Sequence, residues 1–271
     1  MTKSVPIILT IAGTDPSGGA GINVDLQVFR DFGGHGIAAI TALVWQNTRK
    51  IGGWRAVKPV ELRSQLKLLR RDFDIGAVKI GMLPTEALIE AVGTFLGHLS
   101  GDVSVVLDPV MVGGKGQASL MDERASRLLQ RLALHVGLVT PNGPEARRLA
   151  ELDENVSIAP EELVEAVMAK GFKRVLLTGG HLRADERSPV VDWLGDSRGV
   201  SELSGLEPVA FDVRGTGCQL SSAIAAGRAS AQSWPEAIED ARTYLNRLLH
   251  QRARVISKGR PVVVRSEKSS K

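Results

Sequence analysis

Pro6-Ile7-Ile8-Leu9-Thr10-Ile11-Ala12 runs into Gly13-Thr14-Asp15-Pro16-Ser17-Gly18-Gly19-Ala20-Gly21, and a helical pattern follows over residues 22–32. A continuous, partly β-branched apolar run is what a strand buried on both faces of a parallel sheet requires. A glycine-rich turn between such a strand and a helix lets a ligand approach the backbone at the carboxyl edge of the sheet. The turn is not Gly-x-Gly-x-x-Gly placed for a dinucleotide, and it does not end in Gly-Lys-Ser/Thr, so neither a Rossmann nor a P-loop reading fits. Asp15 and Asp25 each have two readings: a hydrogen-bond partner for a substrate, or a turn former and a helix-surface charge respectively.

The strand-then-helix beat repeats along the chain. Residues 36–44 read as a second strand, ending in Trp45-Gln46-Asn47-Thr48; alternation puts Val44 and Gln46 on one face, so Gln46 could read a polar heterocycle edge beside an apolar wall. A helix is expected over 59–73, a strand over 77–82, a helix from 84 to 99 and a strand over 103–107. Asp108-Pro109-Val110-Met111-Val112-Gly113-Gly114-Lys115-Gly116 then places a carboxylate at a strand end ahead of a glycine loop. Further on, the pattern predicts a helix over 121–133, a strand over 136–140, a helix through 152, a helix over 160–170 and a strand into a tight turn over 175–181. A hairpin over 190–206, turning near 196–199, and a long helix over 235–256 complete it. Such alternation argues for an α/β fold, a mostly parallel central sheet with helices on both faces.

At 271 residues, 43% hydrophobic and 24% charged, the chain can bury a full core, and one domain over 1–271 is expected with a basic tail at 258–271. The net charge of +4 comes from scattered pairs such as Arg70-Arg71, and only 4% of residues are aromatic, so nucleic-acid binding is not expected and an anionic substrate fits better. A single cysteine cannot form an internal disulfide, which suits a reducing cytosol. The apolar run 5–12 is too short to span a membrane and lacks a cleavage site; a cytoplasmic protein without membrane partners is expected.

That cysteine stands in Arg214-Gly215-Thr216-Gly217-Cys218, which opens a small-residue helix, Gln219-Leu220-Ser221-Ser222-Ala223-Ile224-Ala225-Ala226-Gly227. A glycine loop at a helix N-terminus presents amide groups and a favourable dipole to an anion, so a phosphate is the expected ligand. Cys218 would be a reactive thiol with its pKa lowered by the helix N-terminus, or a small buried hydrophobe. Pro141-Asn142-Gly143-Pro144-Glu145 likewise supports two readings. Asn142 and Glu145 either serve a magnesium–water cluster beside phosphates or cap their own helix.

Six motifs occur in one order along nearly the whole chain: 10–22, Thr41-Ala42-Leu43 with Gln46-Asn47-Thr48, Val78-Lys79-Ile80-Gly81-Met82, Asp108-Pro109-Val110-Met111-Val112, Thr140-Pro141-Asn142 with Pro144-Glu145-Ala146, and Gly215-Thr216-Gly217-Cys218. Together they resemble the hydroxymethylpyrimidine/phosphomethylpyrimidine kinases of thiamine biosynthesis, within the ribokinase-like superfamily. The resemblance implies a ribokinase-like fold and an ATP- and magnesium-dependent kinase that phosphorylates 4-amino-5-hydroxymethyl-2-methylpyrimidine and then its monophosphate, with a homodimer as the assembly. It implies that Gly13, Ala20, Val44, Gln46, Met82, Val110 and Cys218 line the pyrimidine pocket, beside Asp15 and Asp25. Asp108, Asn142 and Glu145 would serve magnesium and phosphates, with Gly215, Thr216 and Gly217 at the anion hole and Cys218 as base. Apolar residues near 190–194 would supply the dimer interface.

The chain departs from the family's pattern at points that would contact phosphate, a group that includes Gly179. Thr178 stands where lysine usually precedes Gly-Gly-His, Arg214 replaces the usual histidine, and the 113–116 loop differs; Arg214 or Lys115 could restore the missing positive charge. A pyridoxal or pyridoxine kinase of the same superfamily and a non-catalytic sensor of thiamine precursors are the alternative readings.

Overall fold

Continuous apolar runs become interior strands, and the structure, a computed structural model, describes residues 5–112, 119–121, 125, 128–153, 155–182, 188–209 and 212–265. In chain order these are β1 (Ile7–Gly13), α1 (Gly21–Asp31), β2 (His35–Gln46), β3 (Ile51–Ala56), α2 (Pro59–Asp72), β4 (Ile75–Ile80), α3 (Glu86–Leu96) and β5 (Ser104–Leu107). The second half adds β6 (Leu138–Val139), α4 (Gly143–Ala150), α5 (Pro160–Met168), β7 (Val175–Leu177), β8 (Val190–Asp196), β9 (Gly199–Leu206), α6 (Thr216–Ala229), α7 (Trp234–Arg252), β10 (Ala253–Arg254) and β11 (Val262–Val263). One nine-stranded sheet has the order β3-β2-β1-β4-β5-β6-β7-β8-β9. The strands from β2 to β7 run parallel, and β3, β8 and β9 join antiparallel at the two edges.

Alternation along each buried strand splits the core. Leu9 and Ile11 of β1 pack with Val78 and Ile80 of β4 against α2, α3, α4 and α5. Ile8 and Ala77 face the other way, toward α1, α6 and α7. The α6 helix is buried without a break from Gln219 to Gly227, which explains why its sequence is small and apolar around the whole circumference. From β1 the chain winds through α1 to β2 on one side, and α2 then carries it back to β4 on the other side. The winding therefore reverses between β1 and β4, and open α/β sheets bind ligands outside the carboxyl ends of the strands at such a point.

Several elements differ from expectation. The β3 strand lay behind the turn-like Gly52-Gly53; those glycines accommodate the Trp45 indole, because a Cβ on Gly53 would lie 2.6 Å from its Nε1. The last long helix stops at Arg252, where Ala253 and Arg254 pair with β11. Of the helix expected over 121–133, the described Ala125 and Leu128 are α-helical, and Leu129–Leu132 form a 3-10 turn. The 190–206 hairpin forms, but it does not expose an apolar face: Leu194 is buried, and Gly195 abuts Val164 and Met168 of α5. Large exposed apolar side chains lie elsewhere and are scattered, among them Leu68, Leu134 and Val255, with Leu43 and Trp45 of β2 exposed at 40% and 53%.

A buried ion pair fastens the far edge of the sheet. Arg242 of α7 donates to Asp192 of β8 at 2.8 Å and to the Ser204 carbonyl at 2.6 Å, while the other Asp192 oxygen accepts from the Gly179 amide at 2.9 Å. Replacing Arg242 by Met strands a buried carboxylate, which costs about 3–5 kcal/mol. Urea unfolding of Arg242→Met should show that loss, and the double variant Arg242→Met/Asp192→Asn should recover more than half of it.

Candidate active site

Two glycine loops interlock at the carboxyl end of β1. Gly21, at φ +56°, packs so that a Cβ would lie 2.5 Å from the Gly13 carbonyl oxygen. Gly215, at φ +73°, caps α6, and a Cβ there would lie 2.1 Å from the Gly19 carbonyl oxygen. Positive φ and close backbone approach together admit only glycine at both points. The Gly21 amide donates to the sulfur of Cys218, half-buried in the first turn of α6. Gly217 lies exposed beside Asp108, and Thr216 is half-buried.

Beneath this interlock sits a buried charge cluster. The Lys79 ammonium, fully buried on β4, contacts both Asp25 oxygens at 3.0 and 3.1 Å and Asp108 at 3.7 Å. Asp25 also accepts from Thr10 at 2.6 Å and Ser222 at 2.8 Å, and Ser221 donates to Asp108 at 3.2 Å. Burial pushes the Lys79 pKa down, but Asp25, Cys218 and Asp108 outweigh it and hold the value above its ordinary range. Burial raises Asp108, against the pull of Lys79.

Burial likewise pushes the Cys218 thiol up to about 12, with Lys79 opposing and Asp108 and Asp25 adding to the rise. Of the two readings of Cys218, this direction favours the small buried group over the acidified thiol. Asp25 does not face a substrate either, since it is fully buried with both oxygens engaged.

Toward β6 and β7 the capping reading of Asn142 and Glu145 holds: each side chain accepts from the other's amide at 3.0 Å. Burial, and then the Asp108 charge, push Glu145 up to about 8, against backbone donation from Asn142 and Met111. Thr178 bridges to Asn142 and donates its amide to the Pro141 carbonyl at 2.9 Å, bringing Gly179 to the same edge. Among the described residues no cluster of three His, Cys, Asp or Glu side chains is arranged to hold a metal. Two carboxylates with raised pKa values beside an amide nevertheless fit magnesium, which takes hard oxygen ligands and keeps several waters.

On the opposite side, Val44 and Met82 form a small apolar cluster with Ala42 and Leu120, flanked by Val110, Ile51 and Trp54. Gly13 floors it, since a Cβ there would lie 3.0 Å from the Met82 sulfur and 3.4 Å from Val44. Ala20 caps α1 beside this floor. Asp15 is consumed by its own loop, accepting from Ser17 at 2.9 and 2.7 Å and from Gly19 at 3.2 Å. Arg214 reaches Asp15 at 3.4 Å and donates to Gln46 Oε1 at 2.9 Å, so it joins these residues rather than Thr178 and Gly179. Lys115 and the rest of 113–116 lie outside the described residues.

Sequence reasoning gave no role to Lys79, Thr10, Ser221 or Ser222, nor to Trp54 and Leu120. The signal for Lys79 was available: a lysine inside Ala77-Val78-Lys79-Ile80 cannot reach water from an interior strand and must be paired.

Comparison with known proteins points one way. A family model described as phosphomethylpyrimidine kinase matches residues 15–263. The hydroxymethylpyrimidine/phosphomethylpyrimidine kinase of Escherichia coli is 39% identical over 246 residues, 90% of each chain. Among solved structures, the Bacillus subtilis pyridoxal kinase in its ADP complex superposes with a TM-score of 0.85 at 29% identity, covering 96% of this chain and 97% of that one. The Clostridium difficile phosphomethylpyrimidine kinase gives 0.74 at 29% identity, over 90% and 99%. The fold is ribokinase-like.

A carboxyl that keeps its proton to about pH 8 when folded, against 4.5 ordinarily, contributes stability that is present at low pH and lost as pH rises through 8. In magnesium-free buffer, unfolding free energy should therefore fall between pH 5 and 8, by up to about 1.4 kcal/mol per pH unit from this group. Glu145→Gln should remove that component of the slope in urea unfolding.

Proposed function

The chain belongs to the phosphomethylpyrimidine kinase family and is a phosphotransferase, and from that membership we propose that it transfers the terminal phosphoryl group of ATP to the hydroxymethyl group of 4-amino-5-hydroxymethyl-2-methylpyrimidine, and then to the resulting monophosphate, in thiamine biosynthesis. The observation that carries this reading is the position of Cys218. Its sulfur accepts from Gly21, whose loop floors the apolar Gly13–Val44–Met82 patch, and its side chain hydrogen-bonds Asp108, whose charge reaches Glu145.

Val44, Met82, Val110, Gly13 and Ala20 would hold the flat apolar faces of the ring, and the Gln46 amide would read its polar edge. With its pKa raised by burial, Cys218 stays a thiol and orients the acceptor hydroxyl by hydrogen bonding, while the hydroxyl proton passes to an oxygen of the transferred phosphoryl group as the new oxygen–phosphorus bond forms. The Gly215–Cys218 amides stabilise charge developing on the transferred group, with Thr216 beside them. Asp108, Asn142 and Glu145 would hold magnesium, which supplies charge neutralisation on the ATP phosphates. Thr178 and Gly179 would flank those phosphates.

The whole chain is proposed to act as one kinase domain, as a cytoplasmic homodimer. Among the described residues no helix is long and apolar enough to cross a membrane, and the exposed Leu43 and Trp45 offer apolar contact area. The higher TM-score of the pyridoxal kinase favours a second reading, in which pyridoxal is the acceptor. ADP release should be measured with the hydroxymethylpyrimidine, its monophosphate and pyridoxal side by side. Turnover of the pyrimidine, falling about 10²-fold or more in Cys218→Ala at saturating ATP, is the expected result; turnover of pyridoxal alone would move the assignment to the second reading.

A further inference from the structure

Arg214 lies 4% exposed between the two glycine loops and β11, its amide donating to the Pro261 carbonyl at 3.1 Å. Its Nη2 donates to Gln46 Oε1 at 2.9 Å and to Asp15 Oδ2 at 3.4 Å. Among the described residues, the buried Nε and Nη1 have no hydrogen-bond acceptor. Buried, unpartnered donors on a charged group are costly, and an anionic ligand is the acceptor that satisfies them best. Gln46 and Asp15 fix the guanidinium plane from one side, so the free donors are already oriented, at the start of the loop that carries Cys218.

We propose that Arg214 binds the phosphate already carried by the acceptor in the second transfer, and so sets this chain's preference for a phosphorylated acceptor. The inference rests on the kinase reading above. The two transfers make different demands. In the first, the hydroxymethyl O–H bond, oriented by Cys218, breaks as the new O–P bond forms, the proton passes to an oxygen of the transferred phosphoryl group, and the bond from the terminal phosphorus to ADP breaks. In the second, an acceptor phosphate oxygen that already bears negative charge attacks; the same bond to ADP breaks and no proton has to be removed. The second step therefore needs a cation where two anions meet more than it needs a base. Lys79 cannot supply it, being buried among Asp25, Asp108 and Cys218. Arg214 has donors to spare at that point.

The test compares two acceptors, the pyrimidine and its monophosphate, by calorimetric binding without ATP and by steady-state kinetics. Arg214→Gln weakens binding of both through the shared Gln46 contact, but the monophosphate should lose at least tenfold more, and Arg214→Lys should recover part of that difference. Cys218→Ala should show the reverse bias, lowering kcat for the unphosphorylated acceptor by the larger factor. Equal losses for both acceptors in Arg214→Gln would overturn the proposal and leave Arg214 as a brace for Gln46 and Asp15. Should Arg214→Gln not fold, Arg214→Lys is read alone: a monophosphate loss at least threefold the greater supports the proposal, and equal losses sink it. Arg214-dependent binding of the monophosphate without turnover of the pyrimidine would sustain the inference while refuting the kinase assignment. Normal turnover without discrimination would do the opposite.

Discussion

One buried ammonium organises the molecule. Lys79 has no route to water, and its charge is tolerable only because Asp25 and Asp108 converge on it from two other elements, α1 and the end of β5. Asp25 in turn requires Thr10 from β1 and Ser222 from α6. A single cation thus ties together β1, β4, β5, α1 and α6, the elements that flank the reversal in the sheet. Removing it would strand two carboxylates in a region without solvent, which is far more costly than losing an exposed pair.

The cluster also sets the electrostatic character of the site. Two carboxylates face one ammonium, and their charge adds to the burial that chiefly pushes the Cys218 thiol up to about 12 and the Glu145 carboxyl up to about 8. A thiol in this setting is a poor nucleophile and a poor base, suited to orienting a hydroxyl. Phosphoryl transfer tolerates that, because most of its barrier is lowered by positioning and by charge neutralisation rather than by a strong base. The same negative balance invites a divalent cation at Asp108 and Glu145, and it leaves a phosphorylated acceptor in need of a separate positive contact, on the side where Arg214 lies.

The sequence made the layered α/β architecture legible because burial on both faces leaves an unmistakable trace, as in residues 7–12. It also made the glycine loops legible, since both Gly21 and Gly215 stand at positive φ with a carbonyl where a side chain would be. What it hid were relations between distant segments. Asp25 looks like a helix-surface charge until α6 and β4 close over it, and β3 looks like a turn until the Trp45 ring is laid across its glycines. The two readings of Cys218 stayed open for the same reason: the helix N-terminus is local and visible in the chain order, whereas the burial that raises the thiol, and the carboxylates that add to it from residues 25 and 108, come from the fold. Asn142 and Glu145 were ambiguous in sequence because the two readings are compatible in space. A capping box uses one oxygen of each, and the box itself holds the carboxylate in place next to Asp108.

Overall shape cannot decide which ring this site accepts. A pyridoxal kinase superposes more closely than a phosphomethylpyrimidine kinase at equal identity, yet the family model and the Escherichia coli relative both point to pyrimidine kinases. Chain path and acceptor choice are separable because the sheet fixes only where the loops begin. On the proposed reading the choice falls to few groups: the Val44–Met82 wall, the spacing of Gly13 beneath it, and the orientation of the Gln46 amide. In this chain that last group is not free, since its oxygen accepts from Arg214 Nη2. That contact occupies the amide oxygen and leaves the amide nitrogen as the half of Gln46 available to a ligand, so on the kinase reading proposed above a change at Arg214 would bear on an unphosphorylated acceptor through Gln46 and on a phosphorylated one through its own nitrogens.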